Sequence, residues 1–300
     1  MAISTEKSML SGIKVCSAIR RQVGMLPGSY RISQGIAYLI KYKANAFLVL
    51  DDMPQSVGVV TKTDLMLAYY AGLSLDQYLS DIMIAPPVFF GENDRLETVL
   101  EFMQEKEIHQ VFVKTEDGAV SGMLSYTDFV GMMYRYCRNC RHNLHFRGTS
   151  DLDDAPVRRF RVNELMSERI LNFQLYDCLS DIMEGLGSNR FWATLIADAE
   201  NNARGVISKS DLILAYKHGL SPETPAETIM APRIHSCPAT TYLTEAIRQM
   251  IFSDVQRLFV FREDPRRMIG VLSLTDAARA RSGSCKACRT SRVKIDPNVL

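Results

Sequence analysis

A seven-residue pattern recurs four times along this chain of 300 residues. It consists of glycine, two apolar residues, a hydroxyl residue, any residue, a second hydroxyl residue and aspartate. One copy would be weak evidence, but four copies in order along the chain indicate a single supersecondary unit used repeatedly. The four copies are Gly58–Asp64, Gly122–Asp128, Gly205–Asp211 and Gly270–Asp276.

The residues around each copy predict where the motif lies in its unit. Apolar residues first recur at helical spacing, as between Leu96 and Met103, and a short apolar run such as Phe47–Leu50 then predicts a strand. A second strand includes the motif glycine, and a helix begins at the first hydroxyl residue. The predicted order is helix, strand, strand, helix, which is an α/β (α+β) fold with a small sheet and two helices in each unit.

A longer repeat is superimposed on the shorter one. The segment Gly58–Tyr70 resembles Gly205–Lys217, which lies 147 residues further along the chain. A Cys-x-x-Cys pair, called a cysteine clip below, begins nine residues after Asp128 and again nine residues after Asp276. The chain is therefore predicted to be a duplicated pair of units. The two clips are Cys137 with Cys140 and Cys285 with Cys288.

Composition and charge exclude several classes of protein. The chain has 35 Lys and Arg against 34 Asp and Glu, so no overall field attracts nucleic acid or anionic lipid. A secretory signal and an apolar run of about 18 residues are both lacking, so we expect no membrane span and a cytoplasmic location. With 47% hydrophobic residues, a chain of this length can hold two domains with a core in each.

The four motifs resemble the signature of the CBS (cystathionine beta-synthase) domain family. The resemblance extends over nearly the whole chain and implies that units one and two form one module and units three and four another. Short segments typical of the family, called leaders below, precede units two, three and four and end in methionine: Asp81–Met83, Glu164–Met166 and Thr228–Met230. The leader of unit one, around Val15–Ser17, has no matching methionine.

The predicted organisation is thus two pseudo-symmetric pairs of CBS-type units joined by a polar linker. Each pair ends in a cysteine clip, and a basic tail follows the second clip. The predicted ranges are 1–77 for unit one, 78–141 for unit two, 142–160 for the linker, 161–224 for unit three, 225–289 for unit four and 290–300 for the tail.

The resemblance also implies a ligand and a set of contacts. In CBS modules, clefts between paired units often hold adenosine ligands such as AMP, ADP, ATP or S-adenosylmethionine. By that likeness, the first hydroxyl of each motif would face phosphate and the aspartate would hold the ribose hydroxyls. The implied phosphate contacts are Thr61, Ser125, Ser208 and Ser273, and the implied ribose contacts are Asp64, Asp128, Asp211 and Asp276.

The motif chemistry has two interpretations that do not depend on the family. A hydroxyl residue at a helix start with an acid three residues later has the spacing of a capping box, which satisfies orphan backbone N–H groups and needs no ligand. The same geometry suits a nucleotide, because a helix N-terminus favours phosphate, glycine permits close backbone approach and a carboxylate can bind a ribose diol. Both interpretations can hold in one protein.

The cysteine clips have several interpretations. Four sulfurs brought together by the symmetry of the duplication would form a zinc or iron-sulfur site. Each clip is alternatively a redox pair whose thiol pKa values are lowered by neighbouring arginines, a contact to a second chain, or a pair of thiols without special role. His109 is expected to be structural, and Trp192 to lie in a core or a module interface.

The leading hypothesis is a non-catalytic regulatory protein that senses adenosine ligands and transmits the bound state to a protein partner. The alternative is a metal-binding (zinc or iron-sulfur) or thiol-redox protein in which the four clip cysteines form the functional site and the units serve as scaffold. An enzyme is not expected, because the segments outside the units are too short for a catalytic domain and no nucleophile with a nearby base is evident. A homodimer is one assembly compatible with the sequence.

Overall fold

Each of the four repeats folds into a three-stranded sheet flanked by helices. The computed structural model of the chain describes residues 12–53, 55–139 and 160–279. In every sheet the first strand pairs in parallel with the second, and the second pairs antiparallel with the third. The predicted α/β fold of repeated units is confirmed.

The first pair of units contains six strands and four α-helices within the described ranges. The strands are β1 (Met25–Pro27), β2 (Ala46–Leu50), β3 (Ser56–Thr61), β4 (Phe89–Gly91), β5 (Gln110–Lys114) and β6 (Val120–Ser125). The helices are α1 (Ile32–Lys41), α2 (Lys62–Tyr70), α3 (Leu96–Glu105) and α4 (Tyr126–Asn139).

The second pair repeats this order. Its strands are β7 (Asn172–Gln174), β8 (Ala193–Ala197), β9 (Ala203–Ser208), β10 (Ser236–Pro238), β11 (Arg257–Phe261) and β12 (Met268–Ser273). Its helices, as far as the structure describes them, are α5 (Leu179–Ser188), α6 (Lys209–Lys217), α7 (Leu243–Phe252) and α8 (Leu274–Arg279).

The hydrophobic pattern predicts the helices and the last two strands of each unit. In α3, for example, the buried residues are the apolar positions between Leu96 and Met103 that lie at helical spacing. The prediction omits the first strand of every sheet. Each of these strands has only three residues, which is too short for a period to be visible, and its partner is a central strand about 20 residues later in the chain.

The leader of each unit crosses to the other unit of its pair. Arg20, in the leader of unit one, forms an antiparallel bridge with Met123 in β6, and Ile84, in the leader of unit two, bridges Val59 in β3. The second pair repeats the exchange through Ser167 with Val271 and Ala231 with Val206. This exchange joins unit one to unit two and unit three to unit four, in agreement with the predicted pairs.

The motif glycine lies at this crossing. A Cβ atom on Gly205 would lie 2.8 Å from the carbonyl oxygen of Ala231, and one on Gly122 would lie 2.8 Å from that of Arg20. A larger residue therefore does not fit without moving backbone. The expected close approach to the motif glycine is confirmed, and the backbone that approaches it is the leader of the paired unit. Ile19 contacts Gly122 in the place that leader methionines take beside the other motif glycines.

Two hydrophobic cores are each shared between the two pairs. One core joins unit one to unit three where α2 packs on α6, and the other joins unit two to unit four where α4 packs on α8. The units that exchange leaders and the units that share a core are therefore different. The physical reason is that each unit turns its apolar helix face towards the equivalent unit of the other pair, while its leader is exchanged within its own pair.

Tyrosines mark the pseudo-symmetry of this interface. The rings of Tyr69 and Tyr216 stack with centroids 4.9 Å apart and planes 11° from parallel. Their hydroxyl groups donate to the carbonyl oxygens of Leu220 and Leu73, at 2.8 and 2.5 Å. Exposed ion pairs between Lys43 and Asp254 and between Arg190 and Glu107 join the remaining unit combinations. Solvent screens such exposed pairs, which stabilise little, so the apolar cores dominate the interface.

Part of the predicted organisation lies outside the described residues. Residues 140–159, which hold most of the linker, and the tail 290–300 are not described, so the predicted domain boundaries stay predictions. Within the described ranges, no helix combines the length and the apolar character needed to cross a membrane.

The leader crossing predicts an unequal response to alanine at two glycines. Gly205→Ala should lower the free energy of unfolding by about 1–3 kcal/mol, because its Cβ would overlap the Ala231 carbonyl oxygen. Gly131→Ala in α4 is the matched control: its Cβ would meet no atom of the described residues within 4 Å, and alanine favours a helix by about 0.5–1 kcal/mol. Thermal unfolding of both variants checks this, and equal midpoints would contradict it.

Candidate ligand site at the four motifs

The motifs of units one, three and four form the capping box that their spacing predicts, and the motif of unit two forms the aspartate half of it. The Oδ2 atom of each aspartate accepts hydrogen bonds from the backbone N–H and the side-chain hydroxyl of the first hydroxyl residue, at 2.6–2.8 Å. In unit one, the Thr61 hydroxyl in return accepts from the N–H groups of Thr63 and Asp64. The capping interpretation is confirmed, and each cap is worth about 1 kcal/mol.

The second carboxylate oxygen, Oδ1, of the motif aspartate distinguishes units one, three and four from unit two. The Oδ1 atoms of Asp64, Asp211 and Asp276 accept no hydrogen bond from any described residue. None of the three is among the buried side-chain atoms without a partner. Burial raises the pKa of Asp64, while its bonds with Thr61 and the nearby Lys209 oppose that rise. Three of the four motifs thus present an uncommitted carboxylate oxygen.

Unit two is the exception, because a guanidinium group fills its motif. Arg20 Nε donates to Asp128 Oδ1 at 2.6 Å, and Arg20 Nη2 donates to Ser125 Oγ at 2.8 Å and to Asp128 Oδ2 at 3.2 Å. The Arg20 side chain is 49% exposed and that of Asp128 is 10% exposed. The pair is therefore well aligned and open to solvent on one side.

Two lysines cross-link the motifs of units one and three. Lys62 and Lys209 occupy the unspecified position between the two hydroxyl residues of their motifs. Lys62 Nζ donates to Ser210 Oγ at 2.9 Å, and Lys209 Nζ donates to Thr63 Oγ1 at 2.8 Å. Each lysine thus bonds to the second hydroxyl of the other unit. Burial lowers the pKa of Lys62, and it lowers the pKa of Lys209 to about 8.

Further aromatic and cationic groups surround this cross-link. Lys209 Nζ lies 5.0 Å from the ring centre of Trp192, whose Nε1–H donates to His109 Nε2 at 3.3 Å. Trp192 of unit three therefore lies at the module interface, as expected, and His109 of unit two is its partner. Burial lowers the pKa of Arg257 to about 10, although Asp276 opposes the change, so this guanidinium stays charged at neutral pH.

The first-turn amides of α2 have partners inside the protein. The Lys62 N–H donates to the Asn45 carbonyl oxygen, and the N–H groups of Thr63 and Asp64 donate to Thr61 Oγ1. The N–H groups of Lys209 and Leu274 likewise donate to backbone carbonyls. A phosphate at these motifs would therefore meet lysine and arginine side chains in preference to helix amides.

The predicted metal site is largely outside the described residues. Cys140, Cys285 and Cys288 are not described, and only the backbone position of Cys137, within α4, is known. Among the residues that the structure does describe, no three histidine, cysteine or acidic side chains cluster as metal ligands. The convergence of the two clips stays a prediction.

The motif pattern does not predict three residues of the site. Lys62 and Lys209 stand at the position where the pattern accepts any residue, and Arg20 lies in the divergent leader of unit one. The sequence could have indicated the two lysines, because they occupy equivalent positions in the duplication with its offset of 147 residues. Arg20 becomes noticeable only when Ile19 is aligned with the leader methionines.

The buried ammonium of Lys209 predicts a pH dependence of stability. Its pKa is about 8 in the folded chain against 10.5 ordinarily. Between these values the unfolded chain holds a proton that the folded chain has released, so stability rises with pH. We expect the stability of wild type relative to Lys209→Met to increase over this window in thermal unfolding series. A constant difference would contradict the burial of a charged amine.

Comparison with known proteins finds a family match in two parts of the chain. The family model described as CBS domain matches residues 79–135 and 226–283, which lie in units two and four. No curated protein sequence matches the chain.

Solved structures share the fold at low sequence identity. Protein MJ1225 from Methanocaldococcus jannaschii is 14% identical with a TM-score of 0.74, and the alignment covers 89% of this chain and 99% of that one. An uncharacterized conserved protein from Pyrococcus horikoshii is also 14% identical, with a TM-score of 0.57 and the same coverage. The chain therefore contains CBS domains at residues 79–135 and 226–283, and its four three-stranded sheets are consistent with four CBS units.

Proposed function

We propose that this protein binds adenosine-type ligands, namely AMP, ADP, ATP or S-adenosylmethionine, in the clefts between its paired units. The proposal rests on the different roles of the two carboxylate oxygens in the motif aspartates. One carboxylate oxygen holds the helix cap, whereas the other accepts no hydrogen bond from the described residues in Asp64, Asp211 and Asp276. A ribose diol supplies two hydroxyl donors, which is the chemistry that such an oxygen accepts.

Cations near these motifs support an anionic ligand. Lys209 is close enough to Asp64 to affect its pKa, and Asp211 stands in the same relation to Lys62. Arg257 is near Asp276 in the same way. A phosphate group beside these partly or fully buried side chains would be neutralised where charge interactions are stronger than in bulk water.

The same contacts suggest a regulatory rather than a catalytic role. Lys62 and Lys209 bond across the modules, each to a hydroxyl of the opposite unit. A ligand phosphate that attracts either lysine would weaken that cross-link and change the relative free energy of two module arrangements. Ligand binding shifts such an equilibrium only through its differential affinity for the two arrangements. A protein partner would then recognise the favoured arrangement.

Calorimetric titration with the four candidate ligands tests the proposal. Replacing Asp64, Asp211 or Asp276 by Asn keeps an oxygen for the helix cap but removes the charge. We expect at least one replacement to weaken binding by roughly 10- to 100-fold, as expected for lost hydrogen bonds to a charged group.

Asp177→Asn is the matched control for these variants. Asp177 also caps a turn, accepting from the Gln174 N–H at 2.7 Å, but it belongs to no motif, so its replacement should leave binding unchanged. Absence of binding by wild type with every ligand at millimolar concentration would contradict the proposal. So would equal losses in the motif variants and the control.

Metal binding at the cysteine clips is the second candidate function. One observation favours it: α4, which contains Cys137, packs directly against α8, and the chain continues from α8 to the second clip. Thiolates in two Cys-x-x-Cys pairs are a ligand set for zinc or an iron-sulfur cluster.

Elemental analysis and the visible spectrum of anaerobically purified protein test this candidate. We expect bound zinc or a cluster that is lost when Cys137 and Cys285 are replaced by Ser. Cys178→Ser, outside both clips, is the control and should retain the metal. Folded protein purified without metal would contradict the prediction.

A further inference from the structure

The guanidinium of Arg20 occupies the carboxylate that a ligand of unit two would need. We propose that Arg20 closes the unit-two motif and that the leader residue at this position determines which of the four motifs accept ligand. This inference rests on the proposed binding of adenosine ligands, and it assigns the open and closed sites within that function.

The four leaders place different residues at the same point. Arg20, Ile84, Ser167 and Ala231 each bridge the third strand of the paired unit. By this register, Arg20 stands beside the motif of unit two and Ile84 beside that of unit one. Ser167 stands beside the motif of unit four and Ala231 beside that of unit three. Only one of these four side chains carries a charge.

The geometry of Arg20 explains why it excludes a ribose. Its Nε group bonds to Asp128 Oδ1, the atom that is uncommitted in the other three aspartates. Its Nη2 group bonds both to the Ser125 hydroxyl and to Asp128 Oδ2. Guanidinium and carboxylate match in a paired, charge-assisted geometry. A diol would have to displace these bonds and leave the guanidinium without its partner.

The backbone of the leader holds Arg20 in place. Arg20 N–H donates to the Met123 carbonyl oxygen at 3.0 Å, and Met123 N–H donates to the Arg20 carbonyl oxygen at 2.9 Å. This tether keeps the side chain at a high effective concentration beside Asp128. Although the Arg20 side chain is half exposed, it competes with a dissolved ligand as an intramolecular group.

The other leaders lack the means to close their motifs. The side chains of Ser167 and Ala231 are short, and Ile84 offers no polar atom. The Oδ1 atoms of Asp276, Asp211 and Asp64 correspondingly accept no hydrogen bond from the described residues. Ala231 is exposed, so its position has room for a larger side chain. The motifs of units one, three and four are therefore open, and that of unit two is closed.

Two substitutions exchange the leader residues in opposite directions. Arg20→Ser gives unit two the leader residue that accompanies the motif of unit four, and Ala231→Arg gives the motif of unit three the residue that closes unit two. Arg21→Ser is the charge-matched control, since Arg21 is exposed and its side chain bonds to no described residue. Equilibrium dialysis with radiolabelled AMP and ATP counts the sites in each variant.

We expect Arg20→Ser to gain a binding site that disappears again on Asp128→Asn. Ala231→Arg should lose the site that depends on Asp211, and Arg21→Ser should match wild type. Binding by wild type that falls on Asp128→Asn, or no gain in Arg20→Ser while wild type binds, would overturn this inference alone. Absence of binding in every variant would overturn the proposed function together with it.

Discussion

The close contact between each motif glycine and the leader of the paired unit is the interaction on which this structure depends. Where the leader passes Gly122 or Gly205, a Cβ would lie 2.8 Å from a backbone oxygen. The crossing pairs each leader with the third strand of the other unit and packs the leader's apolar residue against the motif glycine. It also places one leader side chain beside each motif. The same contact thus stabilises the pair and controls access to its aspartates.

A second constraint acts between the pairs. Helices of equivalent units pack face to face, with Tyr69 stacked on Tyr216 and with Lys62 and Lys209 bonded to hydroxyls across the interface. Burying two ammonium groups costs stability unless each finds a partner. Each of them has one, the second hydroxyl of the opposite motif. Units two and four have Tyr126 and Leu274 at this position, both buried, so their interface is apolar.

The fold was largely predictable from the sequence, because a fourfold pattern and helical spacing are local signals. The short edge strand Met25–Pro27 was not, since three residues show no periodicity. The shared cores were not predictable either, because an apolar face on α2 or α4 does not specify which helix covers it. That choice depends on packing between distant parts of the chain.

The candidate site was predictable only in part. The capping boxes of Thr61 with Asp64 and of its counterparts in units three and four follow from spacing within a few residues. The contacts of Lys209 and Arg20 join residues more than 100 positions apart, and only folding brings those residues together. Arg20 in particular departs from the repeat, and departures from a repeat are where units of common architecture acquire different roles.

A crystal structure of the protein grown with AMP would test the central claim most directly, because it shows which aspartate holds the ribose. The account predicts ribose hydroxyls within hydrogen-bond distance of Oδ1 in at least one of Asp64, Asp211 and Asp276, with Asp128 still paired to Arg20. A ribose bound to Asp128 with Arg20 displaced, or AMP bound away from all four motifs, would contradict it.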